Sequence, residues 1–406
     1  MISLAWKNIW RNKTRSLIVT IAVTIGIFGG IFFTAFMKGM VQQRIRSAIQ
    51  NECSNIQIHN PEYLLNKEVK DTILESQSIF AVLDTCSSIK AYAKRIKIIA
   101  MVSSAASNQS AILSGINPED EKKVTKIWSC IADSNGSYFS ETKKNQIVIG
   151  QKLAQKLKLK LRSKVVLTFS TDSGTIVNAA FRITGIYKTN NSGFDEMHVF
   201  VRSTELNKLL GQRSPIYHEI AILLNKEADN IKVSSILSKS FPKSTVRPWS
   251  EIMPELAVMD SKGNVMLYIL LIIILLALSF GIINTMLMAV LERTREIGML
   301  MAVGMKKLKV FIMILIETIC LLFTGTLLGI IISVVLINYL STRGINLAAF
   351  ASGLEDVGFS AIVYPLMTFN DYVSVTILVV CAGVLASIVP ARRALRLNPA
   401  TAIRTI

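Results

Sequence analysis

The chain has 406 residues, of which 51% are hydrophobic and 18% charged, with a formal net charge of +18. A mean hydropathy of +0.46 is too apolar for an ordinary water-soluble enzyme or receptor. The surplus of Lys and Arg is not a nucleic-acid footprint, because the cations are scattered with no aromatic platform between them for stacking bases. Membrane topology and anionic headgroups account for most of it.

Residues 1–16 read as an amphipathic elbow helix on the cytoplasmic face, with Ile2, Trp6, Ile9 and Trp10 on one side and Ser3, Lys7 and Arg11 on the other. Residues 17–40 form the first expected span; the apolar run is longer than the roughly 7–15 residues of a cleaved signal, and Gly29-Gly30 leads into more Phe and Ile. Further spans are expected over 263–291, 310–340 and 371–390. Each approaches the ~20 apolar residues needed to cross ~30 Å of hydrocarbon.

Between the first two spans, residues 41–262 carry mixed α/β signals: an extracytoplasmic α/β domain of two lobes, the second over about 120–215, standing on helical stalks. Strands are expected at Asn55–His59, Ile96–Val102, Ser110–Ile116, Gln146–Ile149, Val165–Phe169, Ala179–Tyr187, His218–Leu224 and Thr245–Arg247. Helical spacing marks Asp71–Asp84, Lys152–Leu157 and Asn230–Ser240, and Thr171-Asp172-Ser173-Gly174 makes a short hairpin tip.

Lys and Arg set the orientation. Lys7, Arg11, Lys13 and Arg15 precede span one, Lys306, Lys307 and Lys309 precede span three, and Arg392, Arg393, Arg396 and Arg404 occupy the tail at 391–406. The loop at 341–370 holds a single Arg343 against Glu355 and Asp356. The positive-inside rule therefore places both termini and the 292–309 segment in the cytoplasm and the large domain outside.

That 292–309 segment carries the most specific pattern. Glu292, Arg293, Arg295 and Glu296 precede an apolar face of Ile297, Leu300, Met301 and Val303, and Gly304 supplies a helix end. Glu317 is an acidic residue within span three, where a carboxylate is costly and functional by default, with water or Lys306 and Lys309 as its expected partners. No phosphate-binding Gly-x-x-x-x-Gly-Lys-[Ser/Thr], Gly-x-Ser-x-Gly, His-Glu-x-x-His or Cys-x-x-Cys occurs, so the chain is not expected to be an enzyme or to bind a cofactor or metal. Cys53, Cys86 and Cys130 lie outside the membrane, an odd number that allows one disulfide at most.

The run Glu292-Arg293-Thr294-Arg295-Glu296-Ile297-Gly298 with Ala302-Val303-Gly304 resembles the coupling helix of FtsX-like permeases, the MacB/LolC/LolE superfamily of ABC transporters. Leu4-Ala5-Trp6-Lys7-Asn8-Ile9-Trp10 at the start and Pro390-Ala391-Arg392-Arg393-Ala394 with Asn398-Pro399-Ala400 at the end are similar to the family's terminal signatures. The order of Gly115-Ile116-Asn117-Pro118, Ile149-Gly150-Gln151 and Ile183-Thr184-Gly185 resembles lipoprotein-releasing permeases.

The resemblance implies a four-span fold with a MacB-like periplasmic domain in a bacterial inner membrane. It also implies mechanotransmission, with ATP and Mg on a cytoplasmic ATPase dimer docked at Glu292, Arg293, Arg295, Glu296, Gly298 and Gly304, and a second permease subunit completing a homo- or heterodimer. The leading expected cargo is a lipoprotein extracted from the outer leaflet, against Ile31, Phe32, Phe36, Met37, Met40, Val265, Met266 and Ile269. MacB-type efflux of peptides or antibiotics, and FtsX-like control of a cell-wall hydrolase without transport, are the alternatives. The short turn at Thr171–Gly174 departs from the long hook by which LolC-type members dock a periplasmic lipoprotein chaperone, which leaves that partner open.

Overall fold

The structure is a computed structural model that describes residues 13–140 and 144–395. Residues 1–12 of the elbow expected over 1–16, and the Asn398-Pro399-Ala400 motif, lie outside the described residues. Two compact units form: one from the residues up to Val41, Asp260–Asn346 and those from Ile362 on, the other from Gln42–Met259 with Leu347–Ala361.

Helix α1 (Lys13–Ala48) ends in a π-helical turn, Ile49–Cys53, followed by β1 (Ile56–His59). Asn60 caps α2 (Pro61–Asn66), its side chain accepting from Glu62 N at 3.0 Å while Pro61 occupies the first turn, where its missing N–H costs nothing. Helix α3 (Ser76–Thr85) buries Ile79 and Leu83. Then come β2 (Ile89–Ser103), β3 (Asn108–Ile116), α4 (Pro118–Val124), β4 (Gln146–Gly150), α5 (Gln151–Lys156), β5 (Lys164–Ser170) and β6 (Ile176–Tyr187). The unit continues through α6 (Ser192–Met197), β7 (His198–Arg202), α7 (Ser203–Leu209), β8 (Glu219–Leu224), α8 (Asn230–Ser240), β9 (Thr245–Pro248) and α9 (Trp249–Ile252).

All nine strands join one sheet in the order β3-β7-β4-β6-β5-β2-β8-β1-β9, and β2 pairs with β3 as well. That extra pairing closes β2, β3, β7, β4, β6 and β5 into a barrel filled by Ile98, Leu113, Ile149, Leu167, Phe181 and Val201. The remaining strands form an open flank whose separate core joins Ile56, Ile58, Ile220 and Ile222 to Ile79 and Leu83 of α3 and Val233 and Leu237 of α8. The barrel does not begin at the expected residue 120: β2 is long enough to serve both parts, pairing with β8 over Ile89–Arg95 and with β3 over Arg95–Ser103.

At the joint, Arg95 is buried with Glu121 and Glu219. Its guanidinium donates to Glu121 at 2.6 and 3.0 Å and to Glu219 at 2.6 Å, and Lys97 Nζ reaches Glu219 at 2.6 Å. Every fork is met, which a buried ionic group requires. Burial alone would raise the Glu219 carboxyl, but Lys97 and Arg95 outweigh it and hold it down to about 2.

The other unit contains the first part of α1, then α10 (Pro254–Glu292) from Asp260 on, α11 (Thr294–Ala302), α12 (Lys307–Arg343) and β10 (Ile345–Asn346). Helix α13 (Ala351–Asp356) belongs to the sheet-containing unit, and β11 (Ile362–Val363) and α14 (Phe369–Leu395) complete the chain. Four helices, α1, α10, α12 and α14, are long and apolar enough to cross a membrane. Their common core includes Val23, Ile27, Ile282, Leu321, Leu322 and Val379.

Contact between α1 and α12 depends on two glycines. A Cβ on Gly325 would stand 2.7 Å from Val23 Cβ and 2.9 Å from Thr20 O, and one on Gly329 would stand 2.9 Å from Ile27 Cβ. Thr24 Oγ1 donates across this seam to Gly325 O at 3.1 Å. In lipid, where burial of apolar surface gives little drive, such close backbone packing supplies the association.

Gly329→Leu should therefore force α1 and α12 apart and destabilise the helical unit by about 1–3 kcal/mol, the usual range for overpacking. The check is thermal unfolding in detergent, where the variant's midpoint falls and Gly353→Leu, in open space, leaves it unchanged.

Candidate functional site

The helix between spans two and three is defined by local chemistry at both ends. The backbone leaves the long α10 at Arg293, with φ −102° and ψ 14°, and Thr294 Oγ1 donates back to Leu291 O at 2.6 Å. At the other end Gly304 adopts φ +101°, where a side chain would strain the backbone. This lets Met305 N reach Leu300 O at 3.0 Å and Gly304 N reach Met301 O at 3.1 Å, satisfying the last carbonyls of α11. Ile297 and Gly298 are buried, while Glu292, Arg295, Glu296, Met299 and Leu300 are exposed and Val303 is 89% exposed.

One charge turns inward. Arg293 Nη1 donates to both carboxylate oxygens of Glu317, at 2.8 and 3.0 Å, with each side chain only 12% exposed. Its Nε also faces Glu296 at 3.6 Å. This pair lies in a groove of about 400 Å³ whose apolar wall includes Met286, Met299, Met305 and Met313. A charge pair held largely out of water fixes the start of α11 to the side of α12, because either charge left alone there would be costly.

The placement corrects three expectations. Arg293 is an internal tie and not part of an exposed docking face. Glu317 accepts from Arg293, a partner not expected from the sequence, while Lys306 and Lys309 are exposed at the α12 entry. Ile31 is fully buried in the helical core and packs there, so it offers no surface to cargo. Phe32, Phe36, Met37 and Met40 are half-buried, with Phe28, Phe32 and Phe36 stacked in a ladder at 5.7 and 6.5 Å between centroids. Val265, Met266 and Ile269 stand on the exposed face of α10.

A second charged node, in the sheet-containing unit, had no sequence signal. Arg44 near the end of α1 donates to both oxygens of Glu52 at 2.7 and 3.3 Å, and Asn191 Nδ2 donates to Glu52 at 3.1 Å. Asn191 caps α6, which carries the buried Asp195; Thr189 donates to Asp195 through its hydroxyl at 2.6 Å and its N–H at 3.0 Å. Burial raises the Asp195 carboxyl to about 7 against the lowering effect of these Thr189 bonds, with nearby Glu52 adding to the rise. The segment between spans three and four meets this node: Glu355 accepts from Lys188 at 2.8 Å, Asp356 from Lys152 at 3.3 Å, and Gly358 lies against the Arg44 guanidinium.

Among the described residues no group of His, Cys, Asp or Glu is arranged to hold a metal ion, and the five cysteines are unpaired.

Four apolar helices, an α/β domain inserted after the first and a short amphipathic helix after the second define a multi-span membrane permease. The MacB-like periplasmic core domain matches residues 16–239 and the FtsX-like permease C-terminal domain matches residues 268–399. The chain belongs to this MacB/FtsX family of permeases. It is 28% identical over 261 residues to the macrolide export ATP-binding/permease protein MacB of Brucella abortus, covering 60% of this chain and 37% of that protein. The Sodalis glossinidius protein of the same name is 28% identical over 236 residues, covering 55% and 33%. The chain thus spans about a third of the length of the curated relatives it matches. Solved structures similar to it include the periplasmic region of MacB from Actinobacillus actinomycetemcomitans, at 10% identity and a TM-score of 0.33 over 53% of this chain and 97% of that one. The extracellular domain of the noncanonic ABC-type transporter YknZ gives 17% identity and a TM-score of 0.33 over 48% and 99%.

Two outcomes are expected. Arg293→Glu should lower the unfolding midpoint in detergent and Glu317→Arg added to it should recover most of the loss; equal midpoints in single and double variants would remove the pair's role. Asp195 binds its proton more tightly folded than unfolded, so its contribution is complete below its ordinary 3.8 and is lost as pH rises through about 7. Asp195→Asn should therefore flatten the fall in stability between pH 4 and 7 by on the order of 2–4 kcal/mol, read by denaturant unfolding across that range.

Proposed function

We propose that the chain is the membrane-spanning part of an ATP-driven machine that works by mechanotransmission. An ATP-binding module outside these 406 residues, which holds ATP and Mg²⁺, docks on α11. Its movement passes along α10 and α12 and reaches the sheet-containing domain through the helices whose chains continue into it. The observation that carries this reading is the division of charge on α11: Glu292, Arg295 and Glu296 face outward beside Met299, Leu300 and Val303, while Arg293 is committed inward to Glu317. Exposed charges of both signs around an apolar strip suit a reversible interface in which charge sets register.

The flanking Lys306, Lys307 and Lys309 support the reading that α11 is cytoplasmic and the sheet-containing domain periplasmic in a bacterial inner membrane. A second permease subunit fits against α10, which is only 22% buried along its most apolar stretch and turns Val265, Met266 and Ile269 outward. For the cargo, the relatives named for macrolide export favour efflux of an amphipathic small molecule or peptide collected on the periplasmic side. Lipoprotein release is the second reading, supported by that same apolar face of α10. The β5–β6 connection is short, with Thr171 N bonded to Thr175 O at 2.9 Å, which leaves no long hook for a chaperone. The size of the sheet-containing domain weighs against a purely regulatory role.

Glu296→Lys should abolish co-purification of the ATP-binding partner while the variant still inserts into membranes at the normal level. Normal assembly of that variant would overturn the docking assignment. Stimulation of the assembled ATPase by a macrolide, against stimulation by a triacylated lipoprotein, decides the cargo.

A further inference from the structure

The first half of β2 has one unpaired edge. Over Ile89–Arg95 the strand pairs with β8 on one side, whereas β3 joins the opposite side only from Arg95 onward. Arg95 O accepts from His218 N on the β8 side, so strand alternation turns the N–H and C=O groups of Tyr92 and the N–H of Lys94 toward the other edge, the Lys94 carbonyl being taken up where Arg95 pairs with Ile116 at the end of β3. No strand among the described residues pairs with them there.

That edge is not flush with its surroundings. It borders a groove of about 410 Å³, lined by Lys90, Ala91, Tyr92 and Lys94 of β2 with Asp120 and Lys123 of α4. Residues of both parities line it, as expected when a groove runs along a strand's edge and not over one face. The acids already have partners: Tyr92 OH donates to Asp84 at 2.8 Å, and Lys123 faces Asp120 at 3.9 Å. Lys94 instead lies over the Phe80 ring, 3.7 Å from its centroid, and neither it nor Lys90 meets a carboxylate among the described residues. A ring face holds an ammonium in place but leaves its N–H donors free for an anion.

We propose that the free edge of β2 is a docking site for an extended acidic segment of a partner protein in the same compartment, which adds as a strand. Backbone pairing to Tyr92 and to the Lys94 N–H provides the affinity, and Lys90, Lys94 and Lys123 select acidic side chains on alternate positions of the guest. A basic segment is repelled by the same lysines, and a rounded anion such as phosphate satisfies them without using the backbone edge.

The test uses the full chain in detergent and a fluorescent eight-residue peptide alternating Glu and Val, followed by anisotropy. The Glu–Val peptide should bind, and the same peptide N-methylated at alternate amides, unchanged in charge, should bind at least tenfold more weakly. Lys90→Glu, at an exposed position, and Lys94→Glu should each weaken the unmodified peptide at least tenfold. Absence of Glu–Val binding, equal binding of the N-methylated peptide, equal binding of a Lys–Val peptide, or full displacement by millimolar inorganic phosphate would overturn the proposal.

Discussion

At the junction of α10 and α11 a guanidinium and a carboxylate, both largely removed from water, must stay together. Arg293 cannot swing out to solvent without giving up both of its hydrogen bonds to Glu317 beside a methionine-lined groove. In a low-dielectric setting that constraint is stiff, since separating such a pair costs far more than breaking a surface ion pair. It ties the start of α11 to α12, and Gly304 ends the helix at the other side.

The same logic recurs in the sheet-containing domain. Arg44 binds Glu52 within a chain segment that follows span one, and Asn191 extends the tie to α6 and its buried Asp195. The acidic pair Glu355 and Asp356, placed between spans three and four, meets Lys188 and Lys152 of the barrel region. Segments that flank different spans are thus gathered in one compact unit. The barrel they meet is closed and filled by its own apolar core.

Much of this was legible in the sequence, and the limits have a physical pattern. Four long apolar runs announced the spans, and strict alternation announced β1, β3, β5 and β6; the helix at Asn230–Ser240 could be read to its ends. Strand β7 was missed because His198–Arg202 is short and packed between two six- and seven-residue helices. The closure of the barrel was missed because β3 and β7 pair in parallel across eighty residues of chain, which no local pattern reports. Hydropathy also failed to separate Ile31, wholly inside the helical core, from Val265, which stands on its surface. A lipid-facing residue and a helix-facing residue are equally apolar, so the contrast that orients a soluble helix is lost. Glu317 stood out as an intramembrane carboxylate, but its partner lies 24 positions away across a helix break, beyond i, i+4 reasoning.

The central claim, that α11 receives the ATP-driven input, is tested most directly by photo-crosslinking in cells. A crosslinking amino acid replaces Val303, the most exposed residue beside α11, or Phe350, beyond the opposite end of α12. Adducts are identified by mass spectrometry. The account predicts an adduct with an ATP-binding module from position 303 and none from position 350. An ATP-binding adduct at 350, or its absence at 303, would contradict it.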